Sequence, residues 1–337
     1  MGIELNEYNK QARGGTELLI EEFQSYVPRD LLDHFQIIPS RFRTLDESKI
    51  RILWVHDLPE DPEYNHLKGD GHKKFHLLVF VSNWQMQRFI ERFQIPWEKC
   101  IVLQNAIRPF TPEEIEGKHD VKDGIIKLIY HTTPHRGLNI LVPVFARLCE
   151  EFKNIHLDVY SSLLMYGPAW AERDKTYAPL YDQIKSMSQA TYHGAVDQPT
   201  VRQAVAQAHI FAYPSTWQET SCRCLMEAMS AGCLSVHPNY AALFETSAGL
   251  TRQYQFSGNL EMHAHSFYQV LRETILNYKR PETAVVANVA KWYADSSYNW
   301  EQRGIHWAGV LKSLYDIYKD DTSVPGEQFV YKTTKDK

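Results

Sequence analysis

Short runs of β-branched and aromatic residues alternate along this chain with segments whose apolar residues recur every three or four positions. The first pattern suits strands buried on both faces and the second suits amphipathic helices. Their alternation predicts an α/β protein with parallel sheets. In the first third, 35–38, 50–55, 77–81 and 100–103 read as strands, with helices over about 16–26 and 84–93. A loop rich in Pro, Gly and Glu, 108–124, interrupts the series. The alternation restarts with strands at 125–130, 155–160, 191–193, 210–213 and 234–236. A polar, proline-containing break between two such series predicts a domain boundary near residue 121. The expected division is therefore 1–121, 122–298, and a last segment 299–337.

After Gly137 the residues Leu138, Leu141, Phe145, Leu148 and Phe152 make one apolar stripe, which predicts a helix with Pro143 in its first turn. Trp300, Ile305, Trp307, Val310, Leu311, Leu314 and Tyr318 also recur at helical intervals, and the residues from Asp320 onward are polar. The length, 337 residues, allows about two domains of ~150 residues, each with its own core. With 44% hydrophobic and 23% charged residues the composition is that of a folded globular protein.

Lys and Arg total 36 against 41 Asp and Glu, a net charge of −5, so no excess positive field draws a nucleic acid or an anionic membrane. No apolar run reaches the roughly 18 residues of a membrane span. MGIELNEYNK carries no apolar signal core, and Asn6 stands where a myristoylation signal has Ser or Thr. The five cysteines, Cys100, Cys149, Cys222, Cys224 and Cys233, form no CxxC pair, and no Asn-x-Ser/Thr sequon occurs. Together these features predict a cytoplasmic protein.

The stretch 213–236, YPSTWQETSCRCLMEAMSAGCLSV, carries the most chemistry. It reads as strand, loop, helix, glycine stop and strand, with Thr220 or Ser221 as N-cap and Gly232 as the stop. Glu219 then stands at the carboxyl end of a strand, where α/β sheets bind ligands, and Glu227 about two turns into the helix. Main-chain N–H groups from Ser221 to Arg223 face outward from a helix N-terminus, a ready phosphate site. Taken alone, the two read rather as structural residues, Glu219 favouring the helix dipole and Glu227 a surface carboxylate.

Glu219 and Glu227, followed by A-M-x-A-G and a strand, resemble the carboxylate motif of retaining glycosyltransferases of family 4, which have the GT-B fold. YHTTPHRGLNIL, 130–141, is similar to the strand-loop-helix of that family whose basic residue before a glycine binds the donor diphosphate; Arg136 takes that place. Gly14-Gly15-Thr16-Glu17, Val81-Ser82-Asn83-Trp84, Leu103-Gln104-Asn105-Ala106, Tyr192-His193-Gly194 and Pro214-Ser215 follow in family order over about residues 10–310. The chain departs from the pattern in places. Tyr130-His131 replaces a usual Gly-Arg, so His131 supplies the missing charge only when protonated. Thr220, Ser221 and Cys222 replace glycines, Ala106 replaces a glycine, and only residues 2–5 are left for the first strand.

The resemblance implies two Rossmann-like domains with parallel sheets facing across a cleft, the amino domain for acceptor and the carboxyl domain for donor. The segment after 299 would cross back to the amino domain. It implies transfer of a sugar from a nucleoside-diphosphate sugar to a hydroxyl of a glycan, lipid-linked or small-molecule acceptor, with retention. Arg136, the helix N-terminus after Glu219 and the Gly14-Gly15 backbone would hold the leaving diphosphate without a metal or cofactor. Glu219 would bind donor-sugar hydroxyls and Glu227 the ribose. His56, in WVHDLP at the end of a strand, is similar to the histidine facing sugar and acceptor, with Asp57 beside it to orient it or to start a turn.

Two rival readings share the fold: a sugar-nucleotide epimerase, and a non-catalytic nucleotide-sugar-binding module. His72 and His76, four apart beside Lys73, Lys74 and His66, read as a solvated basic face more than as a metal pair. Cys222-x-Cys224 lacks the second pair of a zinc site and reads as packing at a helix start. No G-x-G-x-x-G or G-x-x-x-x-G-K-[ST] motif occurs.

Overall fold

The run Ile50–Val55 is apolar except for Arg51 and buried at every position, the signature of a strand covered on both faces. A computed structural model, which describes residues 15–118, 121 and 124–325, places it inside a four-stranded parallel sheet. The strands are β1 (Phe35–Pro39), β2 (Ile50–Val55), β3 (Leu77–Phe80) and β4 (Cys100–Val102), side by side in that order. Gln36 and Arg51, the polar exceptions, are satisfied by backbone. Gln36 Nε2 donates to the Thr44 carbonyl and Arg51 Nε to that of Lys74. The helix Asn83–Phe93 starts where Ser82 Oγ accepts from Gln85 N, and Gln94 ends it in the left-handed region at φ 54°.

The second sheet has six parallel strands: β5 (Ile126–Tyr130), β6 (Ile155–Val159), β7 (Ala190–Tyr192), β8 (Ile210–Ala212), β9 (Leu234–Pro238) and β10 (Arg252–Tyr254). Their order is β10-β9-β8-β5-β6-β7. From β5 the chain runs through the helix Leu138–Glu151 to β6 on one side, whereas β8 leads through the helix Arg223–Ser230 to β9 on the other. The connections diverge between β5 and β8. In an open α/β sheet such a switch point leaves a crevice at the carboxyl ends of the strands.

The described residues fall into two compact units. One gathers Gln24–Leu103 and the residues from Gly304 onward; the other gathers 15–23 and Gln104–Arg303. In the first, Trp307 from the long helix Trp300–Tyr318 packs edge-on against Trp54 of β2, ring centroids 5.0 Å apart. Gly304 lies so near the Tyr26 carbonyl that a Cβ there would come within 2.8 Å of its oxygen. In the second, Ile107 and Phe110 join the core under the six-stranded sheet. Arg202 grips the loop that follows, with 2.7 Å contacts to both carboxylate oxygens of Glu114 and its guanidinium 3.8 Å from the Phe110 ring centre. That packing draws 104–118 into the second unit, ahead of the break near 121 expected from composition.

Local details differ from the sequence reading. Pro143 lies past the first turn of Leu138–Glu151, on the exposed side, where water can reach the carbonyl its missing N–H leaves unpaired. Ile305, placed in the apolar stripe of its helix, is 63% exposed. His72 and His76 are buried rather than on a solvated face: the turn Gly71–Lys74 folds His72 inward while Lys73 and Lys74 stay outside, and His76 Nδ1 accepts from Arg51 N at 2.9 Å. The expected first strand at 2–5 lies outside the described residues. No described helix is long and apolar enough to cross a membrane.

Candidate active site

Residues just past the carboxyl ends of β5 and β8 meet at the switch point. β5 runs beside β8 with Leu128 opposite Ile210 and Ile129 opposite Phe211, so the segments that follow start as neighbours. Gly137 lets them close up. Its φ is +111°, and a Cβ there would lie 2.1 Å from the Pro214 carbonyl oxygen. Only a residue without a side chain fits, which explains a glycine directly after Arg136.

This approach brings Arg136 Nη1 to 2.6 Å from Glu219 Oε1. The Tyr213 hydroxyl donates to the same carboxylate oxygen. Glu219 is 4% exposed. Burial works against the Arg136 charge, but Glu219 and then Tyr213 more than offset it, so the guanidinium stays ionised. The Tyr213 phenol is pushed well up, first by burial and then by the carboxylate, and so remains a hydrogen-bond donor. The local pattern marks Tyr213 only as the end of a strand, and its role on Glu219 comes from the fold.

The helix carrying Glu227 spans Arg223–Ser230, with Cys222 rather than Thr220 or Ser221 as its N-cap. Among the described residues the Cys222 side chain makes no capping hydrogen bond of ordinary geometry, although the Leu225 N–H faces its sulfur. Cys222 is buried and its thiol pushed well up, first by burial and then by Glu219. The Ser221 carbonyl accepts from Asn105 Nδ2 at 3.5 Å. Gly232, at φ 71°, follows the helix C-terminus as expected of a stop.

Glu227 points toward the end of β5, where its Oε2 lies 3.8 Å from His131 Nε2. Burial pushes Glu227 up, opposed mainly by Arg223. His131 is buried, its ring 4.9 Å from that of Phe211, and burial holds its pKa at about 4. It is therefore neutral at pH 7 and adds no fixed charge, unlike the arginine whose place it takes. Its backbone carbonyl accepts from the Cys224 thiol at 3.2 Å. Several buried polar atoms here have no hydrogen-bond partner among the described residues: both His131 nitrogens, Thr133 Oγ1, Arg136 Nε, Ser161 Oγ and Ser221 Oγ. They follow β5, β6 and β8, all at the carboxyl edge of one sheet, and so mark a polar site built for a ligand.

His56 follows β2 in the first unit, where its backbone N–H donates to Ser40 Oγ at 3.1 Å and its ring lies 4.5 Å from that of Trp54. Burial takes its pKa to about 3, so it is a neutral imidazole. Asp57 is exposed, and its carbonyl accepts from Gln85 Nε2. Gly15 opens the helix Gly15–Tyr26, and Gly14 lies outside the described residues. Among the described residues no group of three or more His, Cys, Asp or Glu is arranged to hold a metal ion.

Residues 127–271, most of the second unit, match the sequence profile of a family described as glycosyl transferases group 1. No curated protein matches the chain by sequence. Similar folds are found in a glycosyltransferase from Rickettsia africae (TM-score 0.64, 15% identity, covering 93% of this chain and 85% of that one). HepE of Anabaena, solved with UDP and glucose, has TM-score 0.59 and 15% identity over 88% of this chain and 82% of its own. The sucrose-phosphate synthase of Thermosynechococcus elongatus has TM-score 0.62 and 11% identity over 93% and 83%. At these identities the likeness establishes the fold, which is that of GT-B glycosyltransferases; together with the profile match over 127–271 it supports a glycosyltransferase.

Proposed function

We propose that this chain is a retaining glycosyltransferase, of hexosyltransferase type, that moves a sugar from a nucleoside-diphosphate sugar to a hydroxyl acceptor. The observation that carries the reading is the Arg136–Glu219 pair, its carboxylate buried and its guanidinium partly so, at the switch point of the second sheet, with Glu227 on the adjoining helix. Breaking the anomeric C–O bond leaves positive charge on the sugar and growing negative charge on the departing diphosphate. A site for that step needs fixed positive charge at the phosphates and fixed acceptors for hydroxyls.

Arg136 meets the first need, together with the N–H groups at the start of Arg223–Ser230. These donors meet the diphosphate charge without calling on a metal. Glu219 faces the sugar hydroxyls, exchanging part of its contact with Arg136 for the donor. Glu227 takes the ribose hydroxyls, and the turn of Thr220, Ser221 and Cys222 lies against the phosphates. Gly14 and Gly15 are assigned to the same phosphates and His56 to the acceptor side. Burial leaves His56 a neutral imidazole and a weak base, which suits hydrogen bonding to a sugar or acceptor hydroxyl rather than taking its proton. The HepE structure, which holds UDP and glucose, supports the choice of donor class.

The test is a thermal-shift panel of UDP, GDP, ADP and their sugar conjugates on the wild type and Arg136→Ala, followed by turnover. A ligand that binds only the folded state raises stability by about 2.7 kcal/mol at a hundredfold excess over its Kd. The expected result is one nucleotide that stabilises the wild type and not the variant, with nucleoside diphosphate released when an acceptor is present. Binding without release would favour the non-catalytic module. No stabilisation by any nucleotide would remove the reading.

A further inference from the structure

Arg223 occupies a place that local forces disfavour. It is the first residue of the helix Arg223–Ser230, at the positive end of the helix dipole, and its side chain is only 12% exposed. Among the described residues two carboxylates compensate. Its Nη2 lies 3.0 Å from Glu22 Oε2 and 3.9 Å from Glu227 Oε1. Glu22, on the helix Gly15–Tyr26, is held in turn by Trp300, whose indole Nε1 donates to the same oxygen at 2.8 Å.

We infer that Arg223 is a positioning residue for the nucleotide: anchored by Glu22, it keeps Glu227 an anion aimed at the ribose hydroxyls. The inference rests on the proposed function, which assigns the ribose to Glu227. A carboxylate accepts from two adjacent hydroxyls at once, whereas its protonated form turns one oxygen into a donor. Among the described residues around Glu227, that task falls to Arg223. His131, 3.8 Å away, is neutral near pH 7. Gln198 Nε2, at 3.5 Å, carries no charge, and the Cys224 thiol beside it is pushed up to about 12. Glu22 repels the carboxylate, while Arg202, on the helix Gln198–Gln207, attracts it less than Arg223 does. With Arg223 gone, burial and Glu22 act together, and Glu227 takes up a proton closer to neutral pH.

The test measures binding of UDP-glucose, GDP-mannose and ADP-glucose by titration calorimetry at pH 5.5, 6.5 and 7.5. Their phosphodiester groups do not titrate in this range, so a pH effect belongs to the protein. The wild type binds one of the three with an affinity that changes less than about twofold across the series. Arg223→Gln binds the same ligand about tenfold more weakly at pH 5.5 than at 7.5, as a single proton uptake allows. Arg223→Lys, which keeps the charge, restores a flat profile. Arg223→Met, whose chain fills the same space, stands in for the Gln variant if that one fails to fold. Glu227→Gln and the double variant R223Q/E227Q bind weakly at every pH with no slope. A flat profile in R223Q, or a slope that survives in the double variant, overturns the inference alone. A wild type that binds none of the three overturns the transferase reading and this inference with it.

Discussion

Arg136 Nη1 lies 2.6 Å from Glu219 Oε1 although 83 positions separate the two residues in the chain. Each follows a different strand of the same sheet, β5 and β8, and only the strand order makes those strands neighbours. The pair is thus a product of topology. It holds the two groups that the proposed chemistry needs on opposite sides of one bond, the diphosphate cation and the sugar-facing carboxylate.

The pair should behave as one unit in stability measurements. Removing one partner of a fully buried pair costs about 3–5 kcal/mol, because the other charge is left buried and alone. Arg136 retains some exposure, so Arg136→Ala is expected to cost about 2 kcal/mol. Glu219→Gln should cost a similar amount, and the double variant less than the sum by about 1–2 kcal/mol. Urea melts of the four proteins check this; strict additivity would show that the contact carries no coupling. In turnover assays Arg136→Ala should lower kcat/KM by about 10² or more.

Gly137→Ala should disrupt the site without touching any of its charges. The new methyl group would sit 2.1 Å from the Pro214 oxygen at a φ of +111°, so the loops after β5 and β8 must part. Strain at such a position costs about 1–3 kcal/mol before the clash is counted. We expect a clear drop in the melting midpoint and loss of nucleotide-dependent stabilisation. An alanine variant with wild-type melting and binding would show that the close approach does not matter.

Stability should decline in mild acid. Burial holds His131 and His237 at about 4 and His56 at about 3, each below the ordinary 6.5 of an exposed histidine. The unfolded chain therefore takes up protons first as pH falls. Stability is complete above about pH 6.5 and is lost between there and pH 4, with a slope of about 1.4 kcal/mol per pH unit for each histidine. Denaturant melts from pH 7.5 to 4.5 measure that slope. His237→Asn should flatten it by about one proton, and an unchanged slope would count against burial as the cause.

In the first unit, Trp307→Ala should be among the costlier single changes. Trp307 is 1% exposed and its ring abuts Trp54, itself 2% exposed and next to His56. Truncating a buried tryptophan to alanine costs about 3–5 kcal/mol, and Trp307→Phe should cost clearly less. A loss below about 1 kcal/mol would mean that the helix Trp300–Tyr318 adds little to the sheet it covers.

Periodicity made the strands legible where burial demanded a nearly continuous apolar run, as in Ile50–Val55, interrupted by Arg51, and Ile126–Tyr130, interrupted by the exposed Lys127. It did not reveal β10, Arg252–Tyr254, whose three residues include two polar ones at the edge of the sheet. Motif spacing picked out Glu219, Glu227 and Arg136, because a strand-loop-helix turn sets its geometry within a few residues. The N-cap moved to Cys222, since the turn after Glu219 is shaped by contacts from elsewhere, such as the Glu219 carbonyl accepting from Ala242 N.

Other features had no local signal. Tyr213 on Glu219, Arg223 between Glu22 and Glu227, and Trp300 on Glu22 join side chains whose meeting depends on how separate elements pack. The same holds for charge state. A histidine such as His131 has a side chain that titrates near neutrality in water, and only its burial beside Phe211 makes it neutral at pH 7. Local patterns therefore sufficed for the elements and the class of fold, because hydrophobic period and turn chemistry act over a few residues. Partners and protonation states required the tertiary structure, because desolvation and long-range contact exist only once the chain has closed on itself.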